Sequence, residues 1–128
     1  MSSSDKKKSF HGDTMESLLE LYKIGVGPSS SHTMGPQKAA DMIKREYPEA
    51  DRFEVTLYGS LAETGKGHRT DYIIEKTLAP IDVSIIFDTE KQDLIHPNTM
   101  SFRVFMKNKL LKEICVLSIG GGDIRIVG

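Results

Sequence analysis

Phe53-Glu54-Val55-Thr56-Leu57-Tyr58 alternates apolar and polar side chains and runs straight into Gly59. A period of two marks a strand with one buried face. The stretch ahead of it, Gly35 to Glu46, has the other period: Ala39, Ala40 and Ile43, extended by Tyr47, share one helical stripe. Thr33 is the predicted N-cap, and Pro36 sits in the first turn, where its missing N–H costs nothing. Lys44 and Arg45 suit the negative end of the helix dipole, and Pro48 stops the helix. A helix passing directly into a half-buried strand sets the fold class as mixed.

Downstream, a small-residue loop ending at His68 leads to a third helix over Tyr72, Ile73, Ile74 and Thr77, capped by Thr70 or Asp71 and closed before Pro80. The remainder reads as strands: Val83 to Phe87, Met100 to Met106, Leu110 to Ile119, and a short Ile124 to Val127. Asn108-Lys109 is the predicted hairpin turn, and Gly120-Gly121-Gly122 suits a bulge or a close backbone approach. Upstream, Leu18, Leu19 and Tyr22 suit a short helix from Met15 to Lys23, before Gly25, Gly27 and Pro28 open a loop of serines. The expectation is an α+β domain over 14–128, a small and mostly antiparallel sheet with helices on one face, behind a disordered tail over 1–13.

Composition narrows function by exclusion. Seventeen basic and eighteen acidic side chains give a formal charge of −1, so no global field draws the chain to nucleic acid. There is no Trp, and the aromatics do not interleave with basic residues as on a base-stacking surface. Lys6-Lys7-Lys8 is followed by no apolar run, which argues against a secretory signal, and no stretch is long enough to cross a membrane. The single Cys115 cannot pair within the chain, which favours a cytoplasmic setting; among Ile114, Val116 and Leu117 it reads as a small buried hydrophobe.

Two loops and one corner carry the candidate chemistry. Ser29, Ser30, Ser31, His32 and Thr33 bring hydroxyls, backbone N–H groups and an imidazole to a helix start, a place suited to a carboxylate or phosphate. A flexible serine loop with one cap is the plain alternative. Gly59 to His68, with Arg69 and Asp71, stands between a strand and a helix where phosphate loops occur. It is not one: five residues rather than four separate Gly59 from Gly65, and Gly67 follows Lys66 where a hydroxyl is required. What remains is a glycine-hinged loop presenting Lys66 and His68, and an imidazole there can accept a proton near neutral pH. His96-Pro97-Asn98 is the corner, for which turn chemistry alone is a sufficient account. His32, His68 and His96 lie far apart, so a local zinc motif is absent.

Four segments together resemble the β domain of the iron–sulfur L-serine dehydratases: Ile24 through Pro36 (IGVGPSSSHTMGP), Leu57 through His68 (LYGSLAETGKGH) with Thr70-Asp71, His96-Pro97-Asn98, and Ser118 through Gly122 (SIGGG). The likeness runs from about Met15 to the C-terminus. It implies a fold similar to the allosteric substrate-binding domain of phosphoglycerate dehydrogenases. It also implies a share in converting L-serine to pyruvate and ammonia, with His68 as the base and Lys66 as its rival. Ser29, Ser30, Ser31, His32, Thr33, Ser60, Thr64 and Asp71 would face the substrate, and His96 and Asn98 would form an L-serine effector site. In such enzymes a [4Fe–4S] cluster, held by the cysteines of a companion α domain, acts as the Lewis acid. One cysteine cannot hold it here. The implied partners are that α domain and a second copy of the β domain in a homodimer. Arg69 departs from the family pattern, which often has glycine there. A purely regulatory L-serine-binding module, with no catalytic duty, is the alternative role.

Overall fold

A computed structural model describes residues 30–127, and the side chains of Ser30 and of residues 64–68 stand outside that description. The tail 1–13, the Met15 to Lys23 helix and Ser29 therefore lie outside the described residues.

The alternating stretch forms β1 (Arg52–Tyr58), with Phe53, Val55 and Leu57 fully buried and their neighbours half-buried. It is the second strand of a five-stranded sheet, ordered β2-β1-β3-β4-β5, that adds β2 (Asp82–Asp88), β3 (Thr99–Met106), β4 (Lys109–Gly120) and β5 (Asp123–Val127). β1 and β2 run parallel, with Val55 opposite Ile85, because two helices fill the connection between them. The other three pairings are antiparallel, with Val55 opposite Phe102 and Met100 opposite Val116.

The helix α1 (Gly35–Glu46) has the predicted bounds, but Thr33 does not cap it. A π-turn over Ser30–Met34 runs straight into the helix, Met34 is already helical, and no side chain caps the start. Thr33 is instead fully buried. Gly59–His68, predicted as a loop, is the helix α2. Three glycines weaken its intrinsic helical signal, but Leu61 at 0% and Ala62 at 6% exposure anchor it on the sheet, and packing overrides propensity. Arg69, at φ 60° and ψ 36°, is the left-handed link to α3 (Thr70–Leu78), so neither Thr70 nor Asp71 is its cap.

The helices pack on one sheet face. Ala39, Ala40 and Ile43 of α1 meet Ile73, Ile74 and Leu78 of α3 above Phe53, Leu57, Phe102 and Val104. Each large side chain buried this way contributes about 1.5–3 kcal/mol. Lys44 ties the C-terminal ends of α1 and α3 together, its Nζ donating to the carbonyls of Thr77 at 3.3 Å and Ala79 at 2.6 Å.

The opposite face is polar. Arg103 bridges Glu54 at 3.3 Å and Glu113 at 3.4 Å, and the Arg52 guanidinium lies 3.9 Å from the Phe105 ring centre. Cys115 is on this face, half-buried, and not among the core residues that flank it in sequence. Burial, and after it Glu113, pushes its thiol pKa up. The β3–β4 hairpin turns at Lys107-Asn108, both left-handed, one residue earlier than predicted. The glycine run does interrupt the β4–β5 register, after Ser118. Among the described residues, no helix is long and apolar enough to cross a membrane.

Candidate functional site

The chain's four polar segments meet at one end of the helical layer. The π-turn places His32 so that its Nδ1 lies 3.1 Å from Ser31 Oγ and its Nε2 lies 3.1 Å from Ser60 Oγ, at the start of α2. A neutral imidazole donates at one nitrogen and accepts at the other, so one hydroxyl gives a hydrogen bond and the other receives one. Thr70 Oγ1 donates to the His32 carbonyl at 2.6 Å. Ser118 Oγ donates to the Ser31 carbonyl at 2.8 Å, and the Ser118 N–H donates to the Asn98 carbonyl at 2.9 Å.

The His96-Pro97-Asn98 corner is locked into the same network. The Ser60 N–H donates to the Pro97 carbonyl at 2.8 Å, which requires the close approach of Gly59. A Cβ at Gly59 would sit 2.6 Å from that carbonyl oxygen and 2.9 Å from Leu94 Cδ1, and its φ of +54° is itself left-handed. Within the corner the Asn98 N–H donates to His96 Nδ1 at 3.0 Å, and Thr99 Oγ1 donates to the His96 carbonyl. With Nδ1 accepting, the neutral His96 ring carries its proton on Nε2 and can present it to an anion.

Two acceptors are left over. Asn98 Oδ1 and Asp71 Oδ1 are buried and have no hydrogen-bond partner among the described residues. Such oxygens are costly unless a donor reaches them, and a ligand ammonium is one such donor.

Of the residues singled out in the sequence, Ser31, His32 and Ser60 are joined directly, and His96 and Asn98 belong to the same hydrogen-bonded network. The serine loop and the His96–Asn98 corner are therefore joined in one hydrogen-bonded network. Thr64, Lys66 and His68 lie on the last two turns of α2, with side chains outside the described residues, and Ser29 lies outside them altogether. Arg69 points its guanidinium toward the Tyr72 ring, 5.1 Å from the centroid. Sequence reasoning passed over two residues, Thr70 and Ser118. Both lie within the quoted segments, but their role depends on distant carbonyls that no local pattern reveals.

The donor set does not fit an iron–sulfur cluster. Cys115 is the single cysteine and stands on the outer face of the sheet, whereas a cluster takes three or four thiolates. Among the described residues, no group of three or more His, Cys, Asp or Glu could hold a metal ion.

Residues 17–82 match the family model described as serine dehydratase beta chain. The chain belongs to that family. As a serine dehydratase β domain it is similar to an L-serine dehydratase of Helicobacter pylori, 40% identical over 145 aligned positions that cover 83% of this chain and 32% of that protein. It is also similar to L-serine dehydratase 2 of Escherichia coli, 49% identical over 71 positions covering 51% of this chain and 16% of the relative. A probable L-serine dehydratase beta chain of Bacillus subtilis is 34% identical over 80% of this chain and 54% of its own length. The β domain thus spans about a third or less of the first two relatives and about half of the third.

Proposed function

We propose that this β domain contributes the substrate loop and a general base to an L-serine dehydratase. The observation that carries the proposal is the network through which Ser31, His32, Ser60, Thr70, Ser118 and the His96–Asn98 corner meet. Its chemistry suits an amino acid. The His96 Nε2–H is a donor for a carboxylate, and the unpartnered Asn98 and Asp71 oxygens are acceptors for an ammonium.

In the reaction, the α-proton leaves to a base and the β-hydroxyl departs with its electron pair. The resulting aminoacrylate tautomerises and hydrolyses to pyruvate and ammonia. His68, at the end of α2 and two residues before Thr70, is the base implied by the family likeness. Lys66 would need its pKa depressed by several units to serve at neutral pH. A second reading gives the proton to His32, whose ring is aligned through both nitrogens by Ser31 and Ser60. The electrophile for the departing hydroxyl belongs to a cysteine-bearing α partner. The same proposal pairs the domain with a second copy of itself and places it in the cytoplasm.

The test is kcat against pH for the enzyme assembled with its α partner, for wild type, His68→Ala, Lys66→Ala and His32→Ala. Loss of a general base costs about 10²- to 10⁴-fold in kcat. That loss in His68→Ala, with iron content intact, supports His68. The same loss in His32→Ala alone moves the base to the serine loop. Near-normal kcat in both leaves the domain a purely regulatory L-serine module.

A further inference from the structure

Ser31 and His32 present two successive carbonyls within the π-turn. Pro36, the i+5 residue to Ser31 and the i+4 residue to His32, has no N–H to give to either. Both carbonyls are nonetheless bonded. Ser118 Oγ, from the end of β4, reaches the first at 2.8 Å, and Thr70 Oγ1, from the start of α3, reaches the second at 2.6 Å. Thr70 and Ser118 are each 0% exposed, so neither hydroxyl has solvent as a competing partner. Thr70 stands at a helix start where a threonine commonly serves as a cap, yet α3 has no side-chain cap and the hydroxyl is spent on the turn. Ser118 has a second attachment, its N–H to the Asn98 carbonyl at 2.9 Å.

We propose that Thr70 and Ser118 are positioning residues for His32: two buried hydroxyls that replace the donors Pro36 cannot supply, and so aim the imidazole at Ser60. Both hydroxyls bond to main-chain carbonyls. They fix the main chain on both sides of the His32 α-carbon, and the side chain has little freedom left once the turn is held. Ser118 also makes the arrangement common to the two loops, because displacing it releases the Asn98 corner along with the Ser31 carbonyl. The catalytic consequence rests on the proposed function above. The geometric claim does not.

Imidazole ¹⁵N and ¹³C NMR of the 128-residue chain tests the geometry without any reaction. Wild type should show His32 nitrogen shifts of one fixed tautomer. Thr70→Val, which keeps the side-chain shape, and Ser118→Ala should each move them toward the averaged values of a mobile ring, while Thr70→Ser should restore the wild-type pattern. If Thr70→Val fails to fold, Ser118→Ala carries the same test. An unchanged His32 signature in a folded variant lacking either hydroxyl overturns the proposal.

In the assembled enzyme, Thr70→Val should lower kcat by about 10- to 100-fold, the scale of loss from a misplaced group, with KM changing less and Thr70→Ser close to wild type. A moved ring signature with unchanged kcat would leave the positioning role standing and reject the catalytic reading of the turn. The two failures are therefore distinguishable.

Discussion

Arg69 carries a side chain at a backbone conformation that favours glycine. Its φ of 60° is left-handed, which costs a side-chain-bearing residue roughly 1–2 kcal/mol. Stacking on Tyr72 returns part of that, about 0.5–1 kcal/mol at an exposed site. Arg69→Gly should therefore leave the urea midpoint unchanged or slightly higher, while Arg69→Val, β-branched at positive φ, should lower it clearly. Gly59 is the opposite case, since there both the backbone and the space demand glycine. Gly59→Ala should lose about 2–3 kcal/mol by overpacking against Pro97, measurable in the same unfolding experiment. Ser31 and His32 were legible as candidates because hydroxyls and an imidazole cluster before a helix start, whereas Ser60, His96 and Asn98 entered as site residues only through the family resemblance. Ser118 and Thr70 were not legible, because their partners are carbonyls 87 and 38 residues away in the chain.

Elements with strong periods were read correctly, and those decided by tertiary contact were not. α1 and β1 follow from apolar spacing alone, whereas α2 carries three glycines and is helical through Leu61 and Ala62. The parallel β1–β2 pair follows from the helices between them, of which the one over Tyr72 to Thr77 was already legible in the sequence. β3 is the sheet's central strand, and its Phe102 is fully buried against β1 and the helices. Phe102→Ala should cost about 3–5 kcal/mol, seen as a lower urea midpoint with unchanged slope.

The outer face of β4 gives a pH-dependent prediction. The Cys115 thiol pKa is raised in the folded state by burial first and Glu113 second, so its stabilising contribution is present at neutral pH. It is lost as pH climbs past the unfolded thiol value of about 8.5. Tyr58, raised by burial and then by Asp88, acts in the same direction at higher pH. Cys115→Ala should therefore flatten the first part of the alkaline fall in stability, measured by urea unfolding across that range.

At the scale of the molecule, the fold is a platform that brings four separated polar segments to one end of its helical layer. The polar outer face of the sheet, with Arg103 between Glu54 and Glu113, takes no part in that meeting. The 128 residues hold one cysteine, too few thiolates for a cluster, so the share proposed for the domain in a dehydratase is the placing of hydroxyl, imidazole and amide groups. We propose that the serine loop and the His96–Asn98 corner form one amino-acid site. Titrating the labelled 128-residue chain with L-serine and following its amide and imidazole resonances tests this most directly. Ser31, His32, Ser60, Asn98 and Ser118 should shift together along a single binding curve at millimolar serine, while Glu54 and Arg103 should stay in place. Two sets of shifts saturating independently, or no shift at all, would contradict it.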